Sequence, residues 1–432
     1  MKKASVILLV ILLIFGCQSK ANDNPLDLSQ NDEKVELEFW TFWGSELRRP
    51  IIERIIDDFN ASQDRIVVKH IYNPYGDIWT KELAAIASGN PPDVVINDIN
   101  ATAIRGKKQR AESISPYTNS AYAKQFFPHL WDAMIYEDEA YAAPFTTDTR
   151  VLFYNKDLFK AAGLDPDKPP TTWAELIAMA NQLDQKENGD YKVLGFYPLY
   201  NVGADVWMIN ANGQNYIDKE GNVSVDTETN RRVLTWLLER KNHYGKTVVD
   251  RYQAKVDGDQ SHPFLTQELA MVAATGTFYR QIKDYAQDFE LGVAYLPEFE
   301  KGTGHTSWGG GFVAEIPFGA KNPDASWEFI NYLTDVHAQT LWGALNFDNV
   351  ANIEASKAVL NHEELSDEDK AVYQVLDENL KHTILTPAIE QLPNYYEIVN
   401  PILDEILLER ISVEEGLKQI QNQLEQEISN GS

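Results

Sequence analysis

The sequence predicts an α/β fold, on three observations. Apolar strands and amphipathic helices alternate from Val35 onward, one strand is apolar on both faces, and the 432 residues suffice for two sizeable domains. Val35, Leu37 and Phe39 alternate with Glu36 and Glu38, the period of a half-buried strand. After a loop through Trp43, the residues Leu47, Ile51, Ile52, Ile55, Ile56 and Phe59 recur on one helical face. Ile66-Val67-Val68 reads as a second strand, and a helix from Ile78 to Ser88 is stopped by Gly89. Pro91-Pro92-Asp93 then leads into Val94-Val95-Ile96, whose unbroken apolar character suits a strand covered on both sides.

A second α/β pattern starts at Val151-Leu152-Phe153-Tyr154, and Pro169-Pro170-Thr171-Thr172 opens a helix at Trp173. Asp218 to Asn222 reads as the turn of a surface hairpin. Val413, Leu417, Ile420, Leu424 and Ile428 keep one apolar stripe along a C-terminal helix. No internal repeat and no low-complexity tract is found.

The composition, 44% hydrophobic and 24% charged, is that of a globular protein, and the net charge is -27 with a pI near 4.6. Such a field repels nucleic acid and anionic lipid, so neither is expected as a general partner; its main effect is solubility. The single cysteine, Cys17, excludes an intramolecular disulfide.

The position of Cys17 is informative. Lys2 and Lys3 precede an apolar run from Val6 to Phe15, which is well short of the roughly 20 residues that span a bilayer. A basic start, a short apolar stretch and a small residue at its end describe an export signal. Gly16-Cys17 resembles a bacterial lipobox, although Phe15 stands where a small residue is usual. Residues 1–16 are therefore expected to be a lipoprotein signal peptide, Cys17 the lipidated residue, and 17–34 a flexible tether. An ordinary signal peptide cut nearby is the alternative.

Enzyme signatures are missing. There is no G-x-S-x-G elbow, no phosphate loop and no dinucleotide fingerprint, and no pair of histidines has the H-E-x-x-H spacing. No catalytic residue, metal site or cofactor is expected. Ligands of open α/β sheets sit beyond the carboxyl ends of strands, which singles out the Trp43 loop with Glu46 and the Asn97-Asp98 loop.

Three segments together resemble the bacterial extracellular solute-binding proteins of ABC transporters, in particular the maltose-binding-protein-like carbohydrate group. The first is Tyr141-Ala142-Ala143-Pro144 with Leu152-Phe153-Tyr154-Asn155-Lys156-Asp157, Ala162-Gly163-Leu164 and Pro170-Thr171-Thr172-Trp173. The second is Leu269-Ala270-Met271 leading to Gly276; the third is Gly309-Gly310-Gly311 followed by Lys321-Asn322-Pro323-Asp324-Ala325-Ser326-Trp327. The resemblance implies a two-lobed periplasmic-binding-protein-like fold of type II, with hinge strands and a cleft that closes on a sugar. It places the N-terminal lobe at 35–147 plus 309–345 and the C-terminal lobe at 148–308 plus 346–432. It further implies export to the periplasm or cell surface, delivery of a di- or oligosaccharide to a membrane permease, and action as a monomer. A receptor for a non-sugar solute and an exported carbohydrate-active enzyme are the alternatives.

Sugar clefts pair flat aromatic faces with a few hydroxyl-binding polar groups. Trp43 and Trp308 are expected as platforms, with Gly309 and Gly310 letting backbone approach the ligand. The resemblance puts polar ligands at Asp98, Asn100 and Asp148, and an aromatic platform at Phe278, with Tyr279 next in line. Arg150 is expected to pair with an acid, with a sugar contact as the alternative. Trp207 is a further aromatic candidate, as is Trp342, and Tyr395-Tyr396 a wall of the second lobe.

Overall fold

The computed structural model describes residues 34–431 except 219, 257–259, 287, 386–391 and 393–394. The expected signal, Cys17 and most of the expected tether lie outside the described residues.

Two sheets organise the chain. The first has six strands, in the order Asn349–Val350, Ala143–Thr147, Gly311–Glu315, Val94–Asp98, Val35–Thr41, Ile66–Tyr72. Val35–Thr41 pairs in parallel with both Ile66–Tyr72 and Val94–Asp98, as a βαβ succession requires. Helix Arg49–Ser62 connects the first two strands and buries Ile51, Ile52, Ile55, Ile56 and Phe59, the stripe read from the sequence. The second sheet runs Leu291–Tyr295, Arg150–Asn155, Leu269–Thr275, Asp190–Phe196, Gln185–Glu187. Along Arg150–Asn155 the side chains of Leu152 and Tyr154 enter one core, and those of Val151 and Phe153 the core on the opposite face. Helices therefore cover both faces of this sheet, and each sheet is the centre of one lobe.

The chain passes between the lobes three times. Ala143–Thr147 belongs to the first sheet and Arg150–Asn155 to the second, so the first passage is Asp148-Thr149. The return runs through Ser307–Gly309, which pairs with Thr383–Leu385, into Gly311–Glu315. The third passage falls later than the boundary expected at 346. Asn349–Val350 is still an edge strand of the first sheet, and Ala351 and Ala355 bury in the first lobe's core. Val359 is the first residue of this stretch, after Phe347, to pack in the second. The expected hairpin at 218–222 is reduced to a single bridge, Ile217 with Val223.

Backbone approach explains two glycines. A Cβ on Gly309 would stand 2.3 Å from the carbonyl oxygen of Asp148, where the first two passages lie against each other. One on Gly276 would stand 2.3 Å from the carbonyl oxygen of Phe347, where the second lobe meets the turn ahead of strand Asn349–Val350.

Candidate functional site

The floor of the cleft is made by the passages themselves. Gly310 N–H donates to Asp148 Oδ1 at 2.9 Å, and Asp148 N–H to Gly310 O at 3.3 Å. Arg150 Nη1 pairs with Asp148 Oδ1 and donates to Trp308 O at 2.9 Å, while its guanidinium lies 4.6 Å from the centre of the Trp308 ring. Thr149, Ser307, Thr383 and Asn379 lace the strands together beneath, with Thr149 Oγ1 and Thr383 Oγ1 2.6 Å apart. The acid pairing expected of Arg150 is thus present, and its partner is Asp148. The structure also brings Trp308, Gly309 and Gly310 to the same place.

Beside this floor lies a cavity of about 930 Å³ lined from both lobes. The first lobe contributes Phe42, Glu46, Arg48, Tyr75 and Phe312, with Asn346 and Asp348 from the turn ahead of its edge strand Asn349–Val350; the second contributes Thr275, Thr277 and Arg280; the first passage contributes Asp148. Phe42 lies 4.8 Å from Phe312 and 5.0 Å from Tyr75, both edge-on, so the three rings form one apolar wall.

Burial governs the charges here. It raises the carboxyl of Asp98 to about 6, with the charge of Asp148 adding to the effect and the Asn100 N–H, 2.8 Å away, opposing it. Asp348 is pushed up to about 7 by the same cause, against the opposing charge of Arg48 and the indole N–H of Trp342. Burial also raises Asp205, at the start of helix Ala204–Asn212, against the opposing charge of Arg150. Tyr75 is raised by burial and by the charges of Asp98 and Asp148.

Three expected platforms are placed elsewhere. Trp43 is 1% exposed and packs 4.3 Å from Trp342 and 5.4 Å from Phe145, inside the first lobe's core. The alternation of Leu37, Phe39 and Thr41 continues past the strand end, so Trp43 points inward and Phe42 toward the cleft. Trp207 is fully buried, donates its indole N–H to Pro198 O at 2.7 Å, and sits in a cluster with Trp173 and Trp236. Phe278 packs among Phe153, His262 and Phe264, turned to a smaller cavity of about 300 Å³ behind Thr275 and Thr277. Tyr395 lies half-buried against Tyr216, and Tyr396 is exposed near Asp98. Among the described residues no cluster of His, Cys, Asp or Glu could hold a metal ion, and no helix is long and apolar enough to cross a membrane.

Known proteins share this architecture. The arabinooligosaccharide-binding protein of Bacillus subtilis (strain 168) is 24% identical over 363 residues, covering 81% of this chain and 80% of the relative. The sn-glycerol-3-phosphate-binding periplasmic protein UgpB of Escherichia coli O6:K15:H31 is 26% identical over 287 residues, 63% of each chain. The solved structure of CpMnBP1 with mannobiose bound superposes with a TM-score of 0.78 at 25% identity, covering 91% of this chain and all of that one. The bacterial extracellular solute-binding protein family is matched over residues 44–340. The chain therefore belongs to that family, and its two sheets are the lobes of a two-lobed binding-protein fold.

Proposed function

We propose that this protein is the extracytoplasmic receptor of an ABC importer, that it captures a di- or oligosaccharide between its lobes, and that it returns the sugar unchanged to the permease. The observation that carries the reading is the cleft floor: Asp148, Arg150 and Trp308 lie side by side on the strands that join the lobes. An aromatic face beside a charged pair suits the apolar face and hydroxyl rim of a pyranose. Pockets of about 300–1,000 Å³ hold whole drug-sized ligands, and the cavity of about 930 Å³ has room for more than one ring. Asp98, Asn100, Glu46, Gly309 and Gly310 complete the proposed contacts, with Phe42 and Tyr75 in the role expected of Trp43. The relatives that bind arabinooligosaccharide and mannobiose support the ligand class.

Closure is a hinge motion of the lobes about the three passages, driven by a ligand that touches both. In this reading the lobes are 35–147 with 309–358 and 148–308 with 359–431. The mature protein is a monomer held at the membrane by lipid on Cys17, and its partner is the permease that accepts the closed form.

The test is calorimetric titration of residues 18–432 with mannobiose, maltose, arabino-oligosaccharides and sn-glycerol 3-phosphate, followed by recovery of the ligand. Micromolar binding of one sugar class, recovered intact, is expected. Cleaved sugar would make the protein an enzyme, and binding of the glycerol phosphate alone would replace the ligand class.

A further inference from the structure

Asn346 and Asp348 both line the large cavity and flank Phe347, whose φ is +53°, a left-handed conformation rare for a bulky residue. Phe347 is held there by edge-on packing on Tyr279 at 4.6 Å and by its carbonyl seated on Gly276. The turn sends residue 347 into the second lobe and leaves its two neighbours on the cavity side.

Asn346 is 1% exposed, and its amide nitrogen has no hydrogen-bond partner among the described residues. Buried donors are normally satisfied, so this one marks a place where a partner arrives from outside the chain. Asp348 Oδ2 accepts the indole N–H of Trp342 at 3.2 Å. Arg48, from the loop ahead of helix Arg49–Ser62, lines the same cavity and its charge acts on Asp348. Among the described residues no hydrogen bond or ion pair engages its guanidinium. Two donors and one carboxylate thus line one cavity without a partner in common. An anionic group would meet Asp348 and Glu46, and a cationic one Arg48 and Arg280. A sugar hydroxyl, which donates and accepts at once, satisfies all three.

We propose that Arg48, Asn346 and Asp348 form a second subsite, separate from Trp308, that reads adjacent hydroxyls of a further uncharged ring of the ligand. The inference rests on the receptor reading and specifies it: the ligand extends beyond Asp148 into the large cavity, and its outer ring is selected there.

The experiment is calorimetric titration of the wild type and of Arg48→Gln, Asn346→Ala and Asp348→Asn with di- and trisaccharides of mannose, glucose and arabinose. Ligand-free melting confirms that each variant is folded; Arg48→Gln, on a loop, retains the fold whatever the buried pair does. For the series that binds, the wild type is expected to prefer the longer sugar. Each variant is expected to lose about tenfold or more on the longer sugar and to lose its preference over the shorter one. Unchanged affinities, or equal losses on both lengths, overturn the subsite and leave the receptor standing. Absence of binding by the wild type to every sugar overturns the receptor reading, and the subsite with it.

Discussion

The amide N–H of Gly310 donates to Oδ1 of Asp148 at 2.9 Å, joining the strand that leaves the first lobe to the strand that comes back. The same oxygen pairs with Arg150, which in turn lies against Trp308. The hinge and the proposed ligand floor are therefore one hydrogen-bonded unit, and a substitution at Asp148 acts on both.

Asp148→Ala removes the acceptor of Gly310 and the partner of Arg150. Sugar affinity is expected to fall tenfold or more, with a stability loss of about 1–3 kcal/mol for the donors left unmatched. Asp148→Asn keeps an acceptor for Gly310 and should recover most of the stability without the affinity. Calorimetry and ligand-free melting separate the two effects.

Trp308 and Trp43 should behave in opposite ways. Trp308→Ala is expected to weaken sugar binding tenfold or more while melting changes little. Trp43→Ala opens a hole beside Trp342 and Phe145 and should cost about 3–5 kcal/mol of stability. If Trp43→Ala melts like the wild type and loses the ligand, the assignment of Phe42 as the cleft-facing ring is wrong.

Gly309→Ala places a methyl group 2.3 Å from the carbonyl oxygen of Asp148, so the two strands must separate. A loss of about 1–3 kcal/mol is expected, typical of overpacking, together with weaker binding because Trp308 moves with the strand. Denaturant unfolding gives the first quantity and titration the second.

Asp98 and Asp348 predict an unusual pH dependence. Their carboxyls stand at about 6 and about 7 in the folded protein, against 3.8 ordinarily. Between roughly pH 4 and pH 7 the folded state holds protons that the unfolded chain has released, so these two groups make stability fall as the pH rises and add no further change above that window. Asp348→Asn, which carries no charge at any pH, should therefore be more stable than the wild type near pH 8, an advantage that vanishes near pH 4. A difference in melting that is constant with pH would show that Asp348 is not raised.

Arg105 is nearly buried between two fully buried carboxylates. Its Nε donates to Glu315 Oε1 at 2.6 Å, its Nη2 also bonds Glu82, and Asn97 bridges both acids. Burial and the neighbouring Glu315 push the Glu82 carboxyl up, against the opposing charge of Arg105. Arg105→Met leaves the acids without their cation and should cost about 3–5 kcal/mol. Replacing all three by apolar residues of similar volume should restore much of it, which equilibrium unfolding would show.

The first sheet and its helix are legible in the sequence because the periods of two and of about 3.6 are strong in Val35–Phe39 and Ile51–Phe59. The passages at Asp148 and Trp308 are legible only through the family's segments, since nothing in local propensity marks a lobe boundary. Trp43 reads as a cleft residue only if the alternation stops at Thr41; carried two residues further, it points the ring inward. Trp207 lies in Ala-Asp-Val-Trp-Met-Ile, a helix apolar on most sides, and that pattern signals burial. Asp348 and Arg48 leave no trace in the sequence, because their importance lies in burial and proximity created by segments far apart in the chain.

The strand Gly311–Glu315 lies between Val94–Asp98 and Ala143–Thr147 in the first sheet. During synthesis both neighbours emerge long before it, and until it arrives they share no edge and the first core has no roof. The second lobe's sheet draws only on residues from 150 to 295, but its core too is completed late, by Val399, Leu403, Leu417 and Leu424. Loop closure over so long a separation is slow. A chain built in this order stays unfinished while most of its length is being made, which is the state in which a polypeptide can still be threaded across a membrane.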